Sequence, residues 1–194
     1  MDRILFSGKF SCEKVRKTLN WSTIKCYSEI RCVAKMIYND EEYWAVNGVK
    51  DEGKNIRALK SIIPNLDNDH ICRTYKKKQK METCYYHPVD DGNNIIWTVI
   101  KYSQYKKVLN KSKGINENER LFSCCERKLI SSLNCPKDNF KMYVAFRPCY
   151  MCENAFMYLV QYNNNMGFEV HYTDISLDLE TECVNHLKNL KLIK

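Results

Sequence analysis

The stretch LFSCCERKLISSLNCPKDNFKMYVAFRPCYMCENAFMYLVQY, residues 121–162, decides how this chain folds. Leu121–Leu133 reads as a helix, closed by Asn134-Cys135-Pro136 because proline cannot continue the helical hydrogen-bond ladder. Phe140–Phe146 carries apolar residues on both faces, the pattern of a strand central in a sheet that is covered on both sides. Cys149–Tyr162 puts Cys152, Ala155, Phe156, Leu159 and Val160 on one helical face, and Gly167 follows a polar stop. Phe168–Tyr172 is a further strand, and Val184, Leu187 and Leu190 mark a closing helix. Strands alternating with helices predict an α/β sandwich around a mixed, partly parallel sheet.

Upstream the signals are more scattered. Cys12–Asn20 reads as a helix with Val15 and Leu19 on one face. Arg31–Tyr38 and Glu41–Val46 are rich in β-formers and joined by Asn39-Asp40, which predicts a hairpin that Asn47-Gly48 then ends. Ile56, Leu59, Ile62 and Ile63 form a helical stripe that stops at Pro64. Residues 65–120 are the least legible: Tyr75–Lys80 is a basic run, Asn94–Tyr102 a strand, and Asn110–Arg120 a polar loop.

The 194 residues suffice for one domain with a substantial apolar core, 44% of them being hydrophobic. A net charge of +8 favours a polyanionic partner, nucleic acid or an acidic membrane surface, against the plainer alternative of a basic soluble protein. The eleven cysteines are an odd number with no secretory leader before them, so free thiols in a reducing compartment, the cytoplasm, are expected rather than a disulfide framework. No stretch reaches the length of a membrane span.

Two short motifs carry chemistry. Cys149 and Cys152, in Pro148-Cys149-Tyr150-Met151-Cys152, are three apart on a helix, so both sulfurs can reach one metal ion. The partial positive charge of a helix start favours the thiolates that zinc requires, and Pro148 suits the strand-to-helix boundary. Cys124, in Cys124-Cys125-Glu126, supplies a third sulfur from the neighbouring helix. Three protein ligands leave a fourth tetrahedral position for water, whose pKa zinc lowers to roughly 7. Glu126 is then a non-ligand carboxylate placed to carry protons. Cys125 points to another helix face, which suits core packing better than ligation. Cys12, Cys26, Cys32, Cys72, Cys84, Cys135 and Cys183 read as free thiols, and the four histidines lack ligand spacing.

This pairing of C-x-E with P-C-x-x-C is the zinc deaminase signature, with cysteine in the histidine place. The chain resembles the cytidine deaminase-like superfamily, and is most similar to the deaminase domains of bacterial polymorphic toxins in Ser123-Cys124-Cys125-Glu126-Arg127-Lys128. Pro148-Cys149-Tyr150-Met151-Cys152-Glu153-Asn154-Ala155 is similar to the form found in tRNA adenosine and guanine deaminases. The resemblance covers residues 31–47 and 121–194 and implies a three-layer α/β/α sandwich with a long insertion, residues 48–120, before the first metal helix. It implies Zn2+ as cofactor and Asn47 as a base- or sugar-contacting residue, unless Asn94–Tyr102 is the true second strand. Phe146 falls at an aromatic that packs against the base, and Arg147 and Pro148 beside it join the substrate-contacting candidates.

The activity so implied is conversion of cytosine to uracil in single-stranded DNA, by a toxin-type domain acting in a target cell's cytoplasm with an immunity protein as partner. A free nucleoside or nucleotide, or adenine in RNA, are alternatives within the class. The rival reading is a non-catalytic zinc module that binds nucleic acid, its fourth ligand being His87 or His171. Tyr75–Lys80 and Lys101–Lys107 interleave basic and aromatic residues, as single-strand binding needs, although a solvated basic face has the same composition.

Overall fold

The computed structural model describes residues 4–7, 12–26, 30–111, 119–134, 136, 138–163, 167–173 and 180–194. In chain order the elements are β1 (Ile4–Ser7), α1 (Cys12–Thr18), α2 (Trp21–Cys26), β2 (Val33–Tyr38), β3 (Glu41–Val46), α3 (Glu52–Ile62), β4 (Tyr75–Lys76) and β5 (Met81–Glu82). There follow β6 (Cys84–Asp90), β7 (Ile95–Lys101), α4 (Tyr102–Lys111), α5 (Cys125–Ser132), β8 (Phe140–Val144), α6 (Tyr150–Tyr162), β9 (Phe168–Tyr172) and α7 (Glu180–Asn189).

Five strands form the main sheet in the order β1-β9-β8-β2-β3. β1, β9 and β8 run parallel, and β2 is antiparallel to both β8 and β3, so the sheet is mixed. Parallel neighbours need a crossover, and α6 is the crossover between β8 and β9. Asn39 and Asp40 both take positive φ, 50° and 61°, the two-residue turn whose twist matches a hairpin.

Side chains alternate between the two faces of the sheet. Ala34, Met36, Ala45, Met142 and Val144 pack with Leu129 and Ile130 of α5 and Ala155, Phe156 and Leu159 of α6. Val33, Trp44, Val46, Tyr143 and Ala145 pack on the other face with Val15, Leu19, Trp21, Ile24, Ile56 and Leu59, from the α1–α3 segment. Helices therefore cover both faces, as β8 predicts from its sequence.

Several boundaries differ from the sequence reading. The helix expected over Cys12–Asn20 stops at Thr18, because Asn20 turns left-handed at φ 52°, and α2 then begins. The helix expected from Leu121 begins at Cys125, after a 3-10 turn over Glu119–Phe122. Lys101–Lys107 is mostly helix, α4, with Tyr105 buried and Tyr102 half-buried, so these rings are core and not a stacking surface. Part of the expected polar loop, residues 112–118, lies outside the described residues, as does Cys135.

The second strand of the main sheet is β3. Asn94–Tyr102 supplies β7, which pairs with β6 in a separate two-stranded sheet. That hairpin lies over α5 and α6: Tyr86 packs at a tilt on Tyr158 of α6 at 4.7 Å between ring centroids, and Trp97 meets Tyr158 at 5.9 Å. Its other side, with Tyr85 and Ile100, packs with Tyr105, Leu109, Phe122, Met151, Cys183 and Leu187. The β6–β7 part of the insertion is thus a further layer outside α5 and α6, whereas α3 of the same insertion packs on the opposite face of the main sheet. The free edge of β3 is also covered, since Trp44 exchanges backbone hydrogen bonds with His70 and Cys72 at 2.8 and 2.7 Å.

With sheet on one side and insertion on the other, every residue of α5 is buried. Lys128 is wholly enclosed, and its Nζ donates to Val46 O at 2.8 Å, Gly48 O at 2.5 Å and Glu52 Oε1 at 2.7 Å. Burial pulls the Lys128 ammonium below its ordinary value, and Glu52 opposes that. Glu52 Oε1 also accepts from Thr74 N and Thr74 Oγ1, at 2.7 and 2.9 Å. A buried charge that loses its partner costs about 3 kcal/mol or more. Glu52→Gln should therefore lower unfolding free energy by about 3 kcal/mol in urea titration; a loss under ~1 kcal/mol would show that the carbonyls alone satisfy Lys128.

Candidate metal centre

Cys124 and Cys149 occupy the same position at the starts of two helices. Each is the N-cap residue, Cys124 of α5 with φ −69° and ψ 131°, Cys149 of α6 with φ −70° and ψ 164°. Cys152 follows one turn into α6, its N–H bonded to Cys149 O at 2.8 Å. The sulfurs converge: Cys124 Sγ lies 3.7 Å from Cys149 Sγ, Cys149 Sγ lies 3.5 Å from Cys152 Sγ, and all three fall within 4.8 Å of one another. A zinc ion with ligands at about 2.3 Å in tetrahedral geometry needs sulfurs about 3.8 Å apart, so the donor set fits. The separations also exclude a disulfide, whose sulfurs are about 2.05 Å apart. Cys152 is buried whereas Cys124 and Cys149 are half-buried, so the centre is not wholly enclosed.

The three thiols share their protons. Hydrogen bonds from Cys149 and Cys152 hold the Cys124 thiol well below its ordinary range. The bond to Cys124 pushes Cys149 up, and burial pushes Cys152 up. A single thiolate is thus stabilised by the other two thiols, and a divalent cation is what could draw all three into thiolate form.

Glu126 is 5% exposed, and burial, followed by the charge on Cys124, pushes its carboxyl up to about 7. Its Oε2 lies 3.2 Å from Cys125 Sγ, which in turn lies 3.5 Å from Cys32 Sγ. Cys125 is core, as its position on the helix suggests, and it also orients the carboxylate. No histidine joins the thiols among the described residues. His171 pairs with Glu169 at 3.0 Å and stacks on Tyr143, on the sheet face away from α5 and α6, while His87 stacks on Tyr85.

Asn47 is brought beside the centre despite the insertion. Its backbone N–H donates to Cys32 O at 3.0 Å, and its Oδ1 accepts from Cys32 N at 2.9 Å. The next residue, Gly48, donates to Ser123 O at 3.0 Å and so ties the hairpin end to the loop before Cys124. Gly48 takes φ +96°, a conformation that other residues adopt only under strain. Phe146 sits at the end of β8, half-buried, edge-on to Trp21 at 5.7 Å in the cluster beneath α1 and α2. Arg147 is exposed and pairs with Glu153 at 3.4 Å, and Pro148 is buried just before the N-cap.

Sequence reasoning did not single out Arg127, Lys128, Cys32 or Glu52 as part of this centre's surroundings. Glu-Arg-Lys near a helix start has the composition of a solvated face, and no local signal marks it as enclosed. The chain matches no protein-family model, no curated protein and no solved structure.

Purified protein should carry about one zinc per chain, measured by atomic emission. Metal should also shield three of the eleven thiols from alkylation, read by mass spectrometry with and without chelator. Cys149→Ala should lose most of the metal, and a wild-type protein whose thiols alkylate identically in both conditions would remove the centre.

Proposed function

We propose that the chain is a zinc-dependent deaminase of nucleobases, built on a cytidine deaminase-like sandwich, with cytosine in single-stranded DNA as the favoured substrate. One observation carries the reading: among the described residues, three thiols at two helix starts form a donor set with no histidine to close it, beside the buried carboxylate of Glu126. A closed four-ligand staple would suit a binding module; a three-ligand centre that is not wholly enclosed suits catalysis.

A bound zinc would supply activated water for attack on a ring carbon bearing an amino group. Glu126 carries the protons. Burial raises its carboxyl above the ordinary range, so it holds a proton more readily than an exposed glutamate and can take the water proton, protonate N3 of the ring, and deliver a proton to the departing ammonia. Net, one water is consumed and one ammonia released. Asn47, whose Oδ1 is engaged by Cys32 N, would offer its Nδ2 as the donor for the base or sugar.

The polymer preference draws on charge. Lys77, Lys78 and Lys80 are exposed on the β4–β5 hairpin beside the half-exposed Tyr75, whereas Lys76 is paired with Asp69 at 3.0 Å. These three lysines are the phosphate contacts we assign. Among the described residues no helix is long and apolar enough to cross a membrane. The toxin-like motif supports action in a target cell's cytoplasm, opposed by an immunity protein.

Glu126→Ala should keep its zinc and its melting temperature, yet lose ~10² to 10⁴-fold in turnover, the usual worth of general acid–base catalysis. Ammonia release is the readout, from single-stranded DNA, duplex DNA, RNA and free nucleosides in parallel. Release from none of these by zinc-loaded wild type would leave the binding module as the reading. Charge reversal at Lys77, Lys78 and Lys80 should reduce the salt slope of oligonucleotide binding by about 2, at roughly 0.7 per phosphate contact. An unchanged slope would assign the hairpin to solvent.

A further inference from the structure

Arg127 is the largest fully buried side chain among the described residues, and among those residues no carboxylate forms an ion pair with it. It stands three residues after Cys124 on α5, hence on the same helical face. Its Nη1 donates to Leu121 O, its Nη2 donates to Arg120 O at 3.2 Å, and its Nε has no acceptor. The guanidinium lies over the Tyr85 ring at 5.9 Å. Carbonyls and a ring face satisfy donors but cancel no charge, and an uncompensated buried cation costs several kcal/mol. Burial works against the charged guanidinium, yet the nearby sulfurs of Cys124, Cys152 and Cys149 hold it well above its ordinary value, and the neighbouring Glu126 carboxyl feels its charge as well.

The charge count explains why it is there. Two thiolates and a neutral imidazole balance one divalent cation, whereas three thiolates leave a net charge of minus one. That charge would sit against the fully buried first turn of α5, where water can screen it only from one side. A cation that is never deprotonated, fixed one turn from the third thiolate, removes it. We propose that Arg127 is the built-in counter-cation of the three-thiolate centre, offsetting the extra negative charge that cysteine rather than histidine at position 124 introduces. Arg127 acts through the ligands and is a positioning residue. The inference rests on the metal centre described above and is independent of the deaminase reading.

The test is a double-mutant cycle read by metal affinity, using competition with a chromophoric chelator for zinc and the thiolate charge-transfer absorbance of bound Co2+. Arg127→Gln keeps a donor for the Arg120 and Leu121 carbonyls while removing the charge. It should weaken zinc binding about 10- to 100-fold, the range for groups that support ligands from behind. Arg127→Lys, which keeps the charge, should retain most of the affinity. Cys124→His removes one negative charge from the ligand set, so adding Arg127→Gln to it should cost little further. An equal loss from Arg127→Gln in both backgrounds would reduce Arg127 to packing and overturn the proposal, as would unchanged affinity in the single variant. Should Arg127→Gln fail to fold alone, the double variant compared with Cys124→His decides: a large loss there overturns the proposal. Wild type that binds neither zinc nor Co2+ would remove the centre itself, which is a different result from any of these.

Discussion

Three consecutive charged residues, Glu126, Arg127 and Lys128, are buried in the first turn of α5, and much of the surrounding structure is arranged to satisfy them. Charges leave water at a cost of several kcal/mol each, recovered only through partners in good geometry. Lys128 draws the end of β3 and the start of α3 together, because its three acceptors come from Val46, Gly48 and Glu52. Arg127 holds the 3-10 turn before the helix through the carbonyls of Arg120 and Leu121. Glu126 forms no ion pair among the described residues, and burial, followed by the charge on Cys124, raises its carboxyl.

The thiol centre depends on this arrangement. Cys124 caps a helix whose entry is fixed by Arg127 from inside and by the Gly48–Ser123 bond from outside. Cys149 caps a helix entered from β8, the strand next to β2. The two helix starts can bring sulfurs to 3.7 Å because both helices pack on one face of one sheet. The positive ends of both helices then converge on the thiols, where Cys124 is the one held in its ionised form.

The insertion gives the burial its energetic sense. Tyr86 and Trp97 reach over α6, while Ser131 of α5 accepts the Cys84 N–H at 3.1 Å. A helix with the composition Cys-Glu-Arg-Lys-Leu-Ile-Ser-Ser would ordinarily show half its surface to water. Here a second layer covers that half, so polar groups that would be hydrated are instead assigned protein partners. Residues 48–120 are therefore as much a part of the centre's support as the main sheet is.

By itself the sequence determined the β2–β3 hairpin with its Asn39-Asp40 turn, the central place of β8, and the helical spacing of Cys149 and Cys152. All are local: period-two or period-3.6 patterns and turn chemistry act within a few residues. It also singled out Cys124 and Glu126, since motif spacing on two helix starts is visible along the chain. Only the tertiary structure decided that Asn94–Tyr102 pairs with β6 rather than joining the main sheet, and that Tyr102 and Tyr105 face the core. Only there do Glu126, Arg127 and Lys128 become buried, because burial depends on which distant segment covers a helix. A charged triplet carries the same local signal whether it meets water or, as here, carbonyls, a carboxylate and sulfurs brought from elsewhere in the chain.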